Sequence, residues 1–383
     1  TLAFVNWLGF AGWGALLHNF TVEKVGFNWA EAGLTQSVRE IPGFLAFTAI
    51  YWLLWFREQT IAYASMLVLA LGVALTGYFP SLTGVLVTTF IMSVGFHYFE
   101  TMNTSLQLQL LPKADAPRLM GRITAAGATA QFVAYGGLAI AWWMGWRDYV
   151  WLYGTLAVLC TLFTLLAIFR FGRYEGSVPQ RKSFILRKRY WLYYVLTFMS
   201  GGRRQLFFAF GGFLLVKKFN FSVTDMSMLL LVTSSMSAIF APRLGALIAS
   251  IGERKTIMIE NVVLLAVFIG YAVTSSGKVA AALFIIDGIF FTLVLAQKTY
   301  FQKIGDPADM AATASVAFTI NHIAAVVVPV LFGTLGLINP SIIFWLGAGI
   351  ATVSLTLSFL VPLAPAPGNE TVLRGAAAPA PAE

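Results

Sequence analysis

The sequence predicts an all-α membrane protein of twelve transmembrane helices in two six-helix bundles, and three observations carry that expectation. The first is composition. Of 383 residues, 58% are hydrophobic and only 11% charged, against roughly 25% charged in an ordinary soluble domain. The second is that the apolar content falls into stretches of the length a bilayer requires, about 20 residues each. The third is a basic linker at the centre of the chain, where Arg170, Arg173, Arg181, Lys182, Arg187, Lys188 and Arg189 crowd together. Lysines and arginines in short loops beside membrane spans stay in the cytoplasm. The formal net charge of +9 is therefore read as topological bias, and no nucleic-acid partner is expected.

Taken in order, the segments are 1–19, 29–56, 61–79, 82–111, 117–143, 149–169, 190–217, 223–249, 256–275, 279–302, 310–337 and 341–362. With the linker inside, alternation places 57–60, 112–118, 252–255 and 303–309 in the cytoplasm. It places 21–28, 80–84, 145–149, 217–225, 275–278 and 339–341 outside, with Lys217 and Lys218 against the bias. An even number of spans puts both termini in the cytoplasm of a multi-pass inner-membrane protein. The domains expected are a bundle over 1–169, the linker 170–189, a bundle over 190–362 and a disordered Ala- and Pro-rich tail over 363–383. The first apolar stretch reads as a span and not as a cleavable signal. The chain opens on Thr1, which leaves room for a missing N-terminal piece. Cys160 is the single cysteine, so no internal disulfide forms. Trp142, Trp143, Trp146 and Tyr149 form an interfacial aromatic belt.

A shift of 194 residues lays FNWAEAGL (27–34) over FSVTDMSM (221–228), so that Phe27 meets Phe221 and Glu31 meets Asp225. The same shift lays Ala114 and Asp115 over Ala308 and Asp309. A shared offset is what a duplicated bundle leaves behind.

Charges deep inside the spans are few. They are Arg39 and Glu40 in the second, Glu100 with His97 in the fourth, Arg203 and Arg204 in the seventh, and Asp287 in the tenth. Charge at membrane depth is costly and marks function or a buried partner. Arg203 lies some thirteen residues into its span, or roughly 20 Å at about 1.5 Å per residue. Helix neighbours point about 100° apart, so Arg39 and Glu40 are expected on different faces, as are Arg203 and Arg204. His97 and Glu100, three apart, share one. Asp287 is the expected partner of Arg203 or Arg204, leaving the other for the cavity. Glu100 either carries a coupling proton or bonds Arg122. The doublets Gly201-Gly202 and Gly211-Gly212 let the seventh span bend or pack closely.

Six plus six spans around a basic linker resembles the major facilitator superfamily of secondary transporters. The family's loop signature, Gly-x-Leu-x-Asp-Arg-x-Gly-Arg-Arg, is matched by Gly245, Leu247, Gly252, Arg254 and Lys255, with Ala249 in place of the aspartate. The first-half copy keeps only Arg57 and Glu58, and Ile91 stands where a fourth-span arginine would precede Gly95. Gly127 and Gly136 partly echo a fifth-span glycine pattern. The resemblance implies inverted repeats, with spans 1, 4, 7 and 10 lining a cavity and spans 3, 6, 9 and 12 facing lipid. The charges follow that scheme, since only Glu260, near the end of span 9, falls in the lipid-facing set.

On this reading Arg203, Arg204, Arg39, His97 and Asn321 contact substrate; Glu100, Asp287 and Glu40 couple protons; Gly245, Gly252, Arg254 and Lys255 form a gating loop. The expected function is secondary transport of a small, anionic solute by alternating access with proton coupling, because guanidinium offers paired donors to carboxylate or phosphate. An exporter of amphipathic compounds and a non-transporting assembly factor on the same fold are the alternatives. The expected partners are a small-molecule substrate and the lipid bilayer, the expected state a monomer. No enzyme is expected: the histidines, at 18, 97 and 322, are scattered, and neither a metal-binding His-Glu-x-x-His nor a phosphate-binding Gly-rich loop occurs. No cofactor or metal is implied.

Overall fold

The structure is a computed structural model that describes residues 2–52, 55–110, 116–172, 186–306 and 310–373. Its helices are α1 (Leu2–Phe20), α2 (Trp29–Phe44), α3 (Ala49–Trp52), α4 (Glu58–Tyr78), α5 (Leu82–Leu110), α6 (Ala116–Trp143), α7 (Tyr149–Arg170) and α8 (Trp191–Gln205). They continue as α9 (Gly212–Phe219), α10 (Val223–Ile251), α11 (Glu253–Val273), α12 (Gly277–Phe290), α13 (Leu295–Ile304), α14 (Met310–Gly336) and α15 (Pro340–Ser358). Among the described residues the architecture is all-helical, apart from one isolated bridge between Ala366 and Asn369, and nine helical stretches are long and apolar enough to cross a membrane.

Apolar length locates the ends of these helices closely. The segment drawn at 149–169 is α7, Tyr149–Arg170, and that at 82–111 is α5, Leu82–Leu110. Three segments differ in being interrupted. A 3₁₀ turn at Leu45–Thr48 follows Pro42, a π turn at Leu206–Gly211 divides α8 from α9, and a 3₁₀ turn at Phe291–Val294 divides α12 from α13. Hydropathy registers apolar length and is blind to a change in hydrogen-bond step. None of the three turns contains a proline, and Pro42 acts one turn back, at Val38, where α2 runs on unbroken.

The chain packs as two compact units, one of Thr1–Gln180 with Gly212–Val232, the other of Arg181–Gly211 with Thr233–Glu383. Packing thus groups 212–232 with the first half of the chain. Asn19 Nδ2 donates to the Phe221 carbonyl at 2.7 Å, and the Phe213 ring meets Trp29 edge-on at 5.0 Å. In this first unit α4 lies along α5 and α7, and α1 along α6 and α7. The α4–α5 contact is backbone on backbone: a Cβ on Gly72 would lie 2.3 Å from the Met92 amide, and one on Gly95 would lie 2.3 Å from the Leu69 amide. Small residues let membrane helices approach this closely.

In the second unit α8 packs on α14 and α11 on α15. Tyr190, Leu196, Ile257, Tyr300, Phe301 and Val361 belong to one buried cluster. The tail, expected to be disordered from 363, is ordered through 373, and 374–383 lie outside the described residues. The amide of Val372 donates to Leu360 at 3.0 Å, and Tyr300 donates its hydroxyl to the Glu370 carbonyl. Glu370 and Thr371 are buried. Composition misled here because a local signal outweighed it. Ala366-Pro367-Gly368-Asn369 has Pro second and Gly third, Gly368 takes φ +86°, and Asn369 N–H closes on Ala366 at 2.9 Å. That is the signature of a type II turn.

The 194-residue offset is visible in backbone geometry. Thr21 and Leu215, at equivalent positions, each accept a bond from the amide six residues on, Phe27 at 3.0 Å and Phe221 at 3.2 Å. The residues between, Gly26 at φ +79° and Asn220 at φ +56°, are both left-handed, the helix-ending conformation that Gly and Asn favour. Next come two reciprocal capping boxes. Asn28 Oδ1 accepts from the Glu31 amide and Glu31 from the Asn28 amide, while Ser222 and Asp225 exchange the same pair of bonds. Glu31 and Asp225, matched in the sequence by charge alone, do the same job. The other matched pair, 114–115 and 308–309, lies outside the described residues, as does 173–185 of the basic linker.

Candidate functional site

The second unit holds a buried charge cluster. Arg203, on α8, is 4% exposed. Its Nη1 donates to Asn261 Oδ1 at 2.8 Å and its Nη2 to Glu260 Oε1 at 3.1 Å, both on α11. The expected pairing of Arg203 or Arg204 with Asp287 is thus corrected for Arg203, whose bonds go to α11. Glu260 had been placed near a span end, where water could solvate it. In the fold its carboxylate is buried and is the group that neutralises Arg203. Asp287, on α12, is also buried, and its Oδ2 has no hydrogen-bond partner among the described residues. Arg203, Arg204, Glu260 and Asp287 line one small pocket with Ser200 and Phe207. The adjacent arginines therefore reach the same pocket despite their angular separation, because the guanidinium rides on a long stem. They differ in burial: Arg204 is half-buried. Asn321, on α14, donates to the Thr197 carbonyl at 3.4 Å, and its own carbonyl lies 2.5 Å from where a Cβ on Gly201 would sit. It fastens α14 to α8 at the first glycine doublet.

The first unit holds a second cluster on α1, α2 and α5. Arg39 and Glu40 are both buried and bond to each other directly. The expectation that they diverge is corrected, since a flexible arginine reaches around the helix to its neighbour. The Arg39 guanidinium also lies over the Phe10 ring, 5.4 Å from its centroid. Ser93 donates to the Arg39 carbonyl and touches His97 Nδ1 at 2.9 Å. Glu100 accepts from Asn6 Nδ2 at 2.7 Å. That bond comes from α1, and Arg122 is not the partner. Phe10 and Phe96 stack at 4.2 Å, and Trp7 meets both edge-on at 5.9 and 5.8 Å. A Cβ on Gly127 would lie 2.6 Å from the Trp7 ring, so one glycine of the fifth-span echo seats that indole. Gly136 faces open space. His322 holds the Phe318 carbonyl at 2.9 Å through Nδ1.

Of the loop signature, Gly252 is explained by its backbone, φ +81° and ψ 166° before α11, a region reserved for glycine. Arg254 lies 5.8 Å from the Phe359 ring centroid, while Lys255 is exposed and Gly245 meets open space. Sequence reasoning passed over Glu253, which is buried and pairs with Lys303 at 2.7 Å. It also passed over Asn6 and Asn261. The signal for those two was present, since an amide inside an apolar span must find a partner.

Apolar helices of this length and number define a polytopic membrane protein. A family profile described as Major Facilitator Superfamily matches residues 1–329, and the chain belongs to that family of membrane transporters, which are not enzymes. No curated protein sequence matches it. Among solved structures it is similar to the nucleoside transporter NupG at 14% identity, covering 93% of this chain and 96% of that one, with a TM-score of 0.72. It is similar to a bacterial homologue of the human lysosomal transporter Spinster, inward-facing and occupied, at 14% identity, 99% and 97% coverage and a TM-score of 0.70. A POT family transporter in complex with 5-aminolevulinic acid is similar at 10% identity, 93% coverage of each chain and a TM-score of 0.75. At these identities the likeness is one of fold.

Proposed function

We propose that this transporter moves a small anionic solute across the inner membrane by alternating access, using twelve spans in two six-helix halves with both termini in the cytoplasm. The observation that carries the solute's charge is the difference in burial between the two arginines that line the α8 pocket. Arg203 is committed to Glu260 and Asn261. Arg204, half-buried at the same pocket, is the cation placed to meet a carboxylate or phosphate with paired donors. Asp287, whose Oδ2 has no partner among the described residues, is the proton carrier in this reading, and Glu100 is a second candidate in the first unit. The 5-aminolevulinic acid bound by the POT family neighbour carries a carboxylate and fits the same chemistry.

Paired measurements test it. Arg204→Lys should keep the parent's melting temperature and lose affinity for metabolite anions, while Arg203→Lys should fail mainly in stability. Uptake into proteoliposomes should follow an imposed proton gradient and stop in Asp287→Asn. Unchanged anion binding in Arg204→Lys would sink the anionic reading.

A second reading is favoured by the partly exposed aromatics Trp7, Phe10 and Phe96 beside Glu100. They suit a planar or amphipathic solute, and one structural neighbour is named a nucleoside transporter. Uridine or a hydrophobic cation binding to the parent and not to Phe96→Ala would favour it.

A further inference from the structure

At one end of the first unit, away from both charge clusters, α1, α4 and the α6–α7 connection enclose a cleft of about 530 Å³. Phe20, Lys24, Pro80, Arg147, Asp148 and Tyr149 line it. Its two carboxylate neighbours are already engaged. Asp148 accepts the amides of Val150 at 2.8 Å and Trp151 at 3.3 Å, capping α7, and Glu23 accepts the Tyr149 hydroxyl at 2.8 Å. Lys24 and Arg147 are both exposed, and neither enters a hydrogen bond or ion pair among the described residues. Two cations therefore line one concave site without a direct ion pair among the described residues, since the two carboxylates beside them are held by neutral donors.

The position of the cleft says what these two cations meet. It sits where membrane helices end, beside Trp143, Trp146 and Trp151, which are 79%, 62% and 74% exposed. Exposed tryptophans at helix ends mark the depth of lipid headgroups. Cations at that depth meet phosphate, and an arginine can take two of its oxygens at once. These two also stand in loops that the charge pattern assigns to the outside, where basic residues are disfavoured and so need a local reason.

We propose that this cleft binds a phosphate-bearing anion, supplied by the headgroup of an acidic phospholipid and held by Lys24 and Arg147. The site is independent of the transported solute. The protein would be equilibrated with phosphatidylglycerol and phosphatidylcholine, and retained lipids counted by native mass spectrometry. The parent should keep phosphatidylglycerol preferentially. Lys24→Gln with Arg147→Gln should weaken that retention about 25-fold, roughly fivefold per charge. Lys217→Gln with Lys218→Gln, cations outside the cleft, should leave it unchanged. Raised salt should weaken retention by the parent, which needs no variant, and Arg147→Lys should preserve it. Inorganic phosphate separates the two sources. If it alone raises the melting temperature of the parent but not of the double variant, the anion site stands with a soluble occupant. Phosphatidylglycerol retention that survives the double variant, or ignores salt, overturns the proposal.

Discussion

Arg39 and Arg203 are both buried in membrane helices, yet they are neutralised in opposite ways. Arg39 takes its carboxylate from the next residue on its own helix, Glu40. Arg203 takes Glu260 and Asn261 from α11, fifty-seven and fifty-eight residues away. A pair formed along one helix cancels charge without itself joining two helices. A pair formed across helices cancels charge and ties α8 to α11. The first leaves contact between helices to other groups, the Phe10 ring and Ser93 among them, whereas the second must be kept or broken whole when α8 and α11 part.

The largest effect should come from breaking the cross-helix pair. Glu260→Ala leaves a buried guanidinium uncompensated, at a cost of about 3–5 kcal/mol, read as a large fall in melting temperature. Adding Arg203→Gln should restore part of it, and strict additivity would show that the two do not act as a pair. In the first unit Glu40→Gln should cost less, about 1–3 kcal/mol, because Arg39 keeps an uncharged acceptor and the Phe10 ring. A loss equal to that of Glu260→Ala would erase the contrast. Asn261→Ala removes one bond to a charged group, about 1.5–3 kcal/mol, and its loss should shrink in an Arg203→Gln background. The smallest effects belong to the repeated corners. Asn28→Ala and Ser222→Ala should each cost about 1 kcal/mol, and unequal losses would show that equivalent caps carry different loads.

The sequence contained the helices and the depth of most charges, because both depend on local composition. It did not contain the partners. Asp287 was the expected partner of Arg203 or Arg204, and Glu260 entered the sequence reading only as a charge near the end of its span; only packing shows that α11 presents it to α8. Arg39 and Glu40 were misjudged in the other direction, by treating side chains as rigid pointers. The repeat was legible at Glu31 and Asp225, while its mechanical content, a left-handed residue followed by a capping box, needed backbone angles. Hydropathy did not register the three interruptions, because an apolar π or 3₁₀ turn reads like a helix; only in the seventh span did a glycine doublet, Gly211-Gly212, stand beside one.

The ordered strap through residue 373 sets a schedule for biosynthesis. Tyr300 and Glu370, whose contact joins α13 to the strap, are seventy residues apart. At about 5–20 residues per second, the tyrosine is made roughly 4–14 s before its acceptor. During that interval the end of α13 has every helix neighbour that precedes it and none of the strap. A chain stopped at residue 362 lacks the Glu370 acceptor and the Val372 bond to Leu360, and should melt lower than the full chain. A purification tag placed there would interrupt maturation of the second unit, and one placed after 373 would not.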